Sequence, residues 1–309
     1  MINASVLIAG SGNVTGMNVI RALDGHVENL VGYDCCPIQE NASNIFCANE
    51  TVPRTTDQSY ASAIMDLVRK HQITHVIASN DHDVRALMLA RQQSEWDLRV
   101  PVNATTSLTL SFLDKLDTSH LFETHGIPTP ARLDLATAEP PFVVRKRFVG
   151  GSKKYTYVVH DREATPLPPN LDNPVTTRFM EGDEYTIDIL AQQGRPVAIV
   201  PRLRKMVMPP GIVWLGEVVK DDLIIQECAN IIQKLQLDGM YCAQCIRTRK
   251  NCYFFEINPR PGSGIDLSTA ARINMPVLWL RMQLGERISA REPDWGMKMV
   301  RYYSAHYYK

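Results

Sequence analysis

Residues 254–264, Phe-Phe-Glu-Ile-Asn-Pro-Arg-Pro-Gly-Ser-Gly, close an apolar run with a carboxylate, an amide and a guanidinium, then break into Pro, Gly and Ser. On a strand, side chains alternate between faces, so Glu256 and Asn258 share one face. Upstream, GMYCAQCIRTRKNCYFFEIN (239–258) reads as a hairpin turning at Lys250-Asn251. It brings Gln244 onto the partner strand, at an even separation from Glu256 that lets it share that face. One carboxylate and two amide oxygens form a hard donor set of low charge. Such a set suits Mg²⁺ that keeps water and phosphate oxygens as its other ligands. Arg260, just past the strand, is placed to reach a phosphoryl group or a developing anion. A polar turn at the end of an edge hairpin is the plainer alternative.

A second charged stretch lies in FVVRKRFVGGSKKYTYVVHD (142–161), which reads as two strands around a basic loop. Arg145, Lys146, Arg147, Lys153 and Lys154 flank Gly150, Gly151 and Ser152. Glycines let backbone N–H groups approach phosphate oxygens, and the cations supply charge. A solvated basic hairpin tip is the competing explanation. No GxxxxGK[ST] string is present, so this is not a P-loop.

The N-terminal part has another texture. SVLIAGSGNVTGMNVIRAL (5–23) reads as a buried strand over Val6 to Ala9, a glycine turn and a helix with Met17, Ile20 and Leu23 on one side. Apolar runs at 29–34 and 74–79, with helical periodicity from Tyr60 to Arg69, continue the alternation expected of a parallel doubly wound sheet closing near residue 105. Gly10, Gly12 and Gly16 give GxGxxxG rather than GxGxxG. That spacing supports either an anion at the helix N-terminus or simply a tight strand-to-helix turn, and the turn is favoured. Asp34 keeps a dinucleotide site open, and the Asn-Asp-His-Asp run at 80–83 falls where strand-end loops gather ligands or merely start a helix.

Beyond residue 110 the pattern predicts one helix ending at Gly126, a Pro-containing connector, strands on both sides of Gly194, a helix over 221–237 and another near 276–284. Cys242 and Cys245 form CxxC, but only Cys252 lies close by and no histidine falls between His160 and His306, so buried thiols are expected rather than zinc. Lysine plus arginine equals aspartate plus glutamate, 33 each, which gives no basic field for nucleic acid. No apolar run reaches the roughly 18 residues of a membrane helix, and the N-terminus lacks a secretion signal; a cytoplasmic protein is expected.

In this order, Leu-Asp-Lys (113–115), the 142–154 loop, FMEGDEYTIDIL (179–190) and FFEINPRPGSG resemble the ATP-grasp superfamily, near its carbamoyl-phosphate-synthase-like and carboxylate–amine ligase branches. The resemblance implies an α/β chain. A Rossmann-like pre-ATP-grasp domain over 1–108 would precede an ATP-grasp fold over 109–309, built of two α+β subdomains with a lid near 130–178. It implies that Lys115 and Arg145 contact ATP, that Gly150, Gly151 and Ser152 fold over the phosphates, that Met180 offers backbone to adenine and that Glu184 holds the ribose. It further implies Gln244, Glu256 and Asn258 as Mg²⁺ ligands. Arg260, Asn258 and Arg145 would act in phosphoryl transfer, with Ser263 and Gly264 at the acceptor site. Arg202, from PRLRK (201–205), is a candidate for the substrate carboxylate, with a salt-bridged strand equally open.

Three positions depart from the superfamily pattern. Arg178 replaces a common glutamate near adenine, Gln244 replaces an acid at the first metal position, and Lys153-Lys154-Tyr155 replace further glycine. The implied activity is an ADP-forming ligase that joins a small carboxylic acid, such as an amino acid, to an amine. A carbamate- or carboxyphosphate-type reaction and a nucleotide-binding regulatory subunit are the alternatives. The implied cofactors are ATP and Mg²⁺ and the partners small molecules, with neither nucleic acid nor membrane; the resemblance allows a homodimer.

Overall fold

The computed structural model describes residues 1–37, 41–93, 102–104, 106–148, 155–168, 171, 173–209, 211–289, 291–305 and 307. The first sheet is built from β1 (Ile2–Ala9), β2 (Val27–Asp34), β3 (Ala48–Thr51) and β4 (His75–Ala78), with α1 (Val14–Leu23), α2 (Tyr60–Lys70) and α3 (Asp81–Gln92) between and after them. Its order is β3-β2-β1-β4, all parallel, and Val102 adds a parallel bridge to Val76. Asn13 caps α1 by accepting from Gly16 N at 2.9 Å, and Val19, Ile20 and Leu23 bury its inner face. The glycine turn is tight for a packing reason: a Cβ on Gly16 would collide with the carbonyl oxygen of Gly10.

Two short helices follow, α4 (Thr109–Phe112) and α5 (Lys115–Thr124). The sequence pattern predicts one continuous helix here. Asp114 divides it, because its carboxylate accepts from the backbone N–H groups of Leu116 and Asp117 and so caps a new helix. A small antiparallel sheet, β6-β5-β7, then comes from β5 (Phe142–Arg145), β6 (Thr156–Val159) and β7 (Val175–Arg178). Phe142, Val144, Val159 and Ala138 form its separate small core.

The large sheet holds β8 (Asp183–Gln192), β9 (Arg195–Met208), β10 (Ile212–Val218), β11 (Gly239–Arg247), β12 (Cys252–Asn258) and β13 (Lys298–Val300), in the order β12-β11-β8-β9-β10-β13. Its helices are α6 (Asp222–Lys234), α7 (Ile265–Ala270) and α8 (Met275–Gln283). One face is dry: Ile187, Ile189, Ala243, Cys245, Phe254 and Ile257 pack with Ile224, Cys228, Ile231 and Ile232 of α6. Those four helical positions recur at i, i+4, i+7 and i+8, the stripe an amphipathic helix buries. The other face is polar at Glu184, Arg204, Gln244 and Asn258, where it lines the cleft described below, and apolar at Leu190, Val200 and Met240. Helix α1 and strand β1 share a further core with Val200, Ile273, Trp279 and Leu280, so the first sheet is welded to the C-terminal helices. The parallel sheet, the two antiparallel sheets and their order are those the sequence resemblance implies. β3, β10, β13 and α7 are too short or too mixed in pattern to be read from sequence.

No helix of the described residues is long and apolar enough to cross a membrane. Cys242 and Cys245 sit three apart on β11, so strand alternation points them to opposite faces; both are buried and free. Gly16→Ala should destabilise the protein by about 1–3 kcal/mol through overpacking of the first turn. Urea denaturation followed by circular dichroism measures it; an unchanged midpoint would show that the turn has room.

Candidate active site

The two antiparallel sheets and the carboxyl ends of β1, β2 and β4 enclose a cleft of about 1010 Å³. Strand alternation delivers its lining: Glu184 and Thr186 from β8, Arg202 and Arg204 from β9, Gln244 from β11, Glu256 and Asn258 from β12. Lys115, Arg145, Met180, Arg260, Ser263 and Gly264 line the same space. Every described candidate residue thus meets at one cleft, while Gly150, Gly151 and Ser152 lie outside the described residues.

Gln244 and Glu256 are direct cross-strand partners. Only one placement of the Gln244 amide suits its neighbours: its nitrogen donates to Glu256 Oε2 at 2.9 Å and its oxygen accepts from Arg204 Nη1 at 2.9 Å. The register slips by one residue after this pair, so Phe255 is a bulge on β12. The bulge lets Phe255 and Glu256 line the cleft together, where strict alternation would separate them. Asn258 is 6% exposed; its Nδ2 donates to Cys242 O at 3.2 Å and its Oδ1 accepts from Arg260 Nη2 at 3.3 Å.

Arg145 crosses from the small sheet to the large one. Its Nη1 donates to Phe255 O at 2.9 Å, its guanidinium lies 5.2 Å from the Phe255 ring centroid, and its buried Nε has no hydrogen-bond partner among the described residues. Burial lowers its pKa from the ordinary value, against the opposing pull of Glu256. Neighbouring Arg147 grips Asp114 with Nε 2.9 Å from each carboxylate oxygen, which ties the basic stretch to the start of α5 and to Lys115.

Arg260 is held from the first sheet. Asp81, in the first turn of α3, accepts from its Nε at 2.5 Å and its Nη2 at 3.4 Å. Burial works against the guanidinium charge, yet Asp81, helped by Glu256, outweighs it and holds the pKa above its usual value. The sequence offers Asn-Asp-His-Asp only as a loop; its pairing with a residue 179 positions away is a tertiary fact. Asn18 and Asn103 likewise escape sequence reading, although Asn18 Nδ2 donates to Ser263 O at 2.9 Å and Asn103 Nδ2 to Pro259 O at 3.4 Å.

Arg202, for which the sequence leaves a substrate contact and a salt-bridged strand equally open, is 2% exposed and is committed to Asp188 by two bonds of 2.8 Å. Ser268 donates to the same carboxylate at 2.6 Å. Glu184, expected at a ribose, is ion-paired with Arg204 Nε at 3.0 Å. Asp34 turns to its own loop: Oδ2 accepts from Gly12 N at 3.1 Å and Oδ1 from Cys36 N at 3.1 Å, which occupies one amide that an anion at the glycine turn would use.

The small and the large antiparallel sheet thus line one cleft between them. Residues 171–304 match the family model described as ATP-grasp in the biosynthetic pathway with Ter operon. The chain is similar in fold to the ADP complex of PurK, N5-carboxyaminoimidazole ribonucleotide synthetase, with 15% identity, TM-score 0.76, and 95% of this chain and 80% of that chain covered. It is also similar to the biotin carboxylase domain of Hydrogenobacter thermophilus 2-oxoglutarate carboxylase, solved as a dimer with MgADP, ADP and bicarbonate; here the identity is 11%, the TM-score 0.71 and the coverage 96% and 73%. L-amino acid ligase from Bacillus licheniformis follows at 15% identity, TM-score 0.69 and coverage of 95% and 79%. No curated protein sequence matches. Residues 171–304 thus match an ATP-grasp family model, and the chain as a whole shares the fold of these structures.

Asp188→Asn should leave the Arg202 guanidinium buried without its counter-charge and cost about 3–5 kcal/mol of stability. Chemical denaturation measures this, and a loss below about 1 kcal/mol, the scale of an exposed pair, would mean that Arg202 reaches water.

Proposed function

We propose that the protein is an ATP- and Mg²⁺-dependent, ADP-forming ligase that activates a small carboxylic acid, such as an amino acid, as an acyl phosphate and couples it to an amine. The observation carrying this reading is the meeting of Glu256 and Asn258 with Arg145, Arg260 and Lys115 around one cleft between two sheets. The Glu256 carboxylate and Asn258 amide oxygen are hard donors on one strand face and fit Mg²⁺, whose chemistry is to neutralise phosphate oxygens. The buried Nε of Arg145, without a hydrogen-bond partner among the described residues, fits an anion arriving beside Glu256.

A free carboxylate is a poor electrophile because resonance spreads its charge. In the proposed reaction a carboxylate oxygen attacks the γ-phosphorus, the bond to the bridging oxygen breaks, and ADP leaves. The amine nitrogen then attacks the acyl carbon, inorganic phosphate departs with the C–O bonding pair, and the nitrogen gives up a proton. Phosphoryl transfer needs alignment and charge stabilisation more than covalent help. Arg260, oriented by Asp81, and Arg145, oriented by Phe255 O, supply fixed positive charge at the transferring group. Met180 and Glu184 line the cleft and would hold adenine and ribose. Arg178 is exposed at the cleft rim and would alter the adenine contact. Ser263 and Gly264 line the cleft beside the first sheet and would meet the acceptor there.

The bicarbonate bound by the Hydrogenobacter neighbour favours a second reading, a carboxyphosphate-type reaction on the same scaffold. ADP release from Mg-ATP measured over a panel of amino acids, with and without added bicarbonate, separates the two. Stimulation by an amino acid pair supports the ligase, stimulation by bicarbonate alone supports the second reading, and release with neither argues against both.

Glu256→Gln should abolish this turnover with little change in melting temperature, since the carboxylate serves charge rather than packing; parental turnover at saturating Mg²⁺ would remove the metal assignment. By calorimetry, Lys115→Ala should raise the ATP dissociation constant about tenfold, or about 1.4 kcal/mol. Gly12→Ala should leave it within a factor of about three. The reverse ranking would move the nucleotide to the N-terminal glycine turn.

A further inference from the structure

Gln244 stands at the position where the superfamily pattern has an acid, and its surroundings explain the exchange. The Arg204 side chain is 7% exposed and meets four neighbours at once: Glu184 Oε1 by an ion pair 3.0 Å from Nε that is not a hydrogen bond, and by hydrogen bonds Thr186 Oγ1 and the Gln244 oxygen, each 2.9 Å from Nη1, and Gly211 O, 3.0 Å from Nη2. Gln244 in turn donates to Glu256. The result is a continuous chain across three strands: acid, guanidinium, amide, acid.

This chain uses up both ends of the amide. The Gln244 oxygen is the only atom of that side chain able to ligate a cation, and it faces a guanidinium. A divalent ion seated between Gln244 and Glu256 would lie against the Arg204 N–H groups, and like charges at that range repel strongly in a half-buried site. A carboxylate at 244 would favour such an ion; a neutral amide bonded to arginine does not. Asn258 Oδ1 also accepts from a guanidinium, but its bond to Arg260 Nη2 is longer and weaker at 3.3 Å, that arginine is already paired with Asp81, and Asn258 lines the cleft with Glu256.

We infer that this cleft binds its nucleoside triphosphate with a single divalent cation, held by Glu256 and Asn258, and that Arg204 is the fixed cation meeting the phosphates on the Gln244 side where a second ion would otherwise sit. Gln244 is a positioning residue: it orients Arg204 and Glu256 rather than ligating metal. The inference rests on the nucleotide-binding reading above and deepens it. A fixed guanidinium costs no ion dehydration, and its place is set before the nucleotide arrives.

Mn²⁺ is the probe, read by the loss of its free-ion electron paramagnetic resonance signal, with a non-hydrolysable ATP analogue at saturation. The parent should bind one analogue-dependent Mn²⁺ per chain. Gln244→Glu, which keeps Arg204, should also bind one, because the guanidinium neutralises the new carboxylate. Arg204→Met combined with Gln244→Glu should bind two. Two equivalents in the parent, or in Gln244→Glu alone, overturn the inference and leave the nucleotide reading intact. No analogue-dependent Mn²⁺ in the parent overturns both. A folded double variant that stays at one equivalent rejects Arg204 as the determinant; if circular dichroism shows it unfolded, the parent and Gln244→Glu decide the question.

Discussion

The buried pair between Asp188 and Arg202 sets the course of the chain around the cleft. A guanidinium at 2% exposure must keep its counter-charge, and two bonds of 2.8 Å, with Ser268 on the same carboxylate, provide it. The loop after β12 must then pass directly over that guanidinium. A Cβ on Gly264 would collide with Nη1, and one on Gly262 would come within 2.7 Å of Cys242 Sγ and 3.1 Å of Arg202 Nη2. The Pro-Gly-Ser-Gly sequence that follows Arg260 is therefore glycine-rich because of what lies beneath it. Between the two glycines, Ser263 O accepts from Asn18 Nδ2 at 2.9 Å and Arg301 Nη2 at 3.0 Å, which pins the loop to α1 and to the C-terminal segment.

With the loop placed, the remaining charges of the cleft fall into compensated groups. Arg260 has Asp81, Arg204 has Glu184, and Arg145 has Glu256 nearby. Positive groups that are already oriented and partly desolvated are worth more to an incoming anion than mobile surface lysines, because they need little rearrangement when charge arrives. The compensation is not uniform. Arg145 is the one whose burial outweighs its acidic neighbour and lowers its pKa, and, like Arg204, it holds a buried Nε without a hydrogen-bond partner among the described residues.

The first sheet contributes to the cleft through geometry more than through its glycines. Its buried polar chain runs from Tyr33 to Tyr60 at 2.7 Å and from Tyr60 to Asp83 at 2.5 Å, and Asn80 donates to the other Asp83 oxygen. Burial raises the Asp83 pKa, opposed by those hydrogen bonds. The chain anchors the first turn of α3, and Asp81 in that turn is presented to Arg260. Meanwhile Asp34 and Asn13 occupy amides of the glycine turn, at Gly12 and Gly16, so this turn is closed by its own side chains.

The sequence by itself determined the fold type and the cleft face of the large sheet. Periodicity of two, set by the pleat, placed Gln244, Glu256 and Asn258 together, and the order of four short stretches carried the resemblance to the superfamily. Periodicity also separated the parallel N-terminal sheet from the antiparallel ones. It could not separate α4 from α5, because a capping carboxylate overrides helical spacing locally, nor place Phe255 beside Glu256, because a bulge breaks alternation without a sequence mark. The partners of the cations belonged to tertiary structure alone. Nothing local to Arg260, Arg202 or Arg204 states that Asp81, Asp188 and Glu184 will meet them, since an ion pair depends on distance in space, and Asp188 and Glu184 lie on the neighbouring strand β8 while Asp81 lies on helix α3.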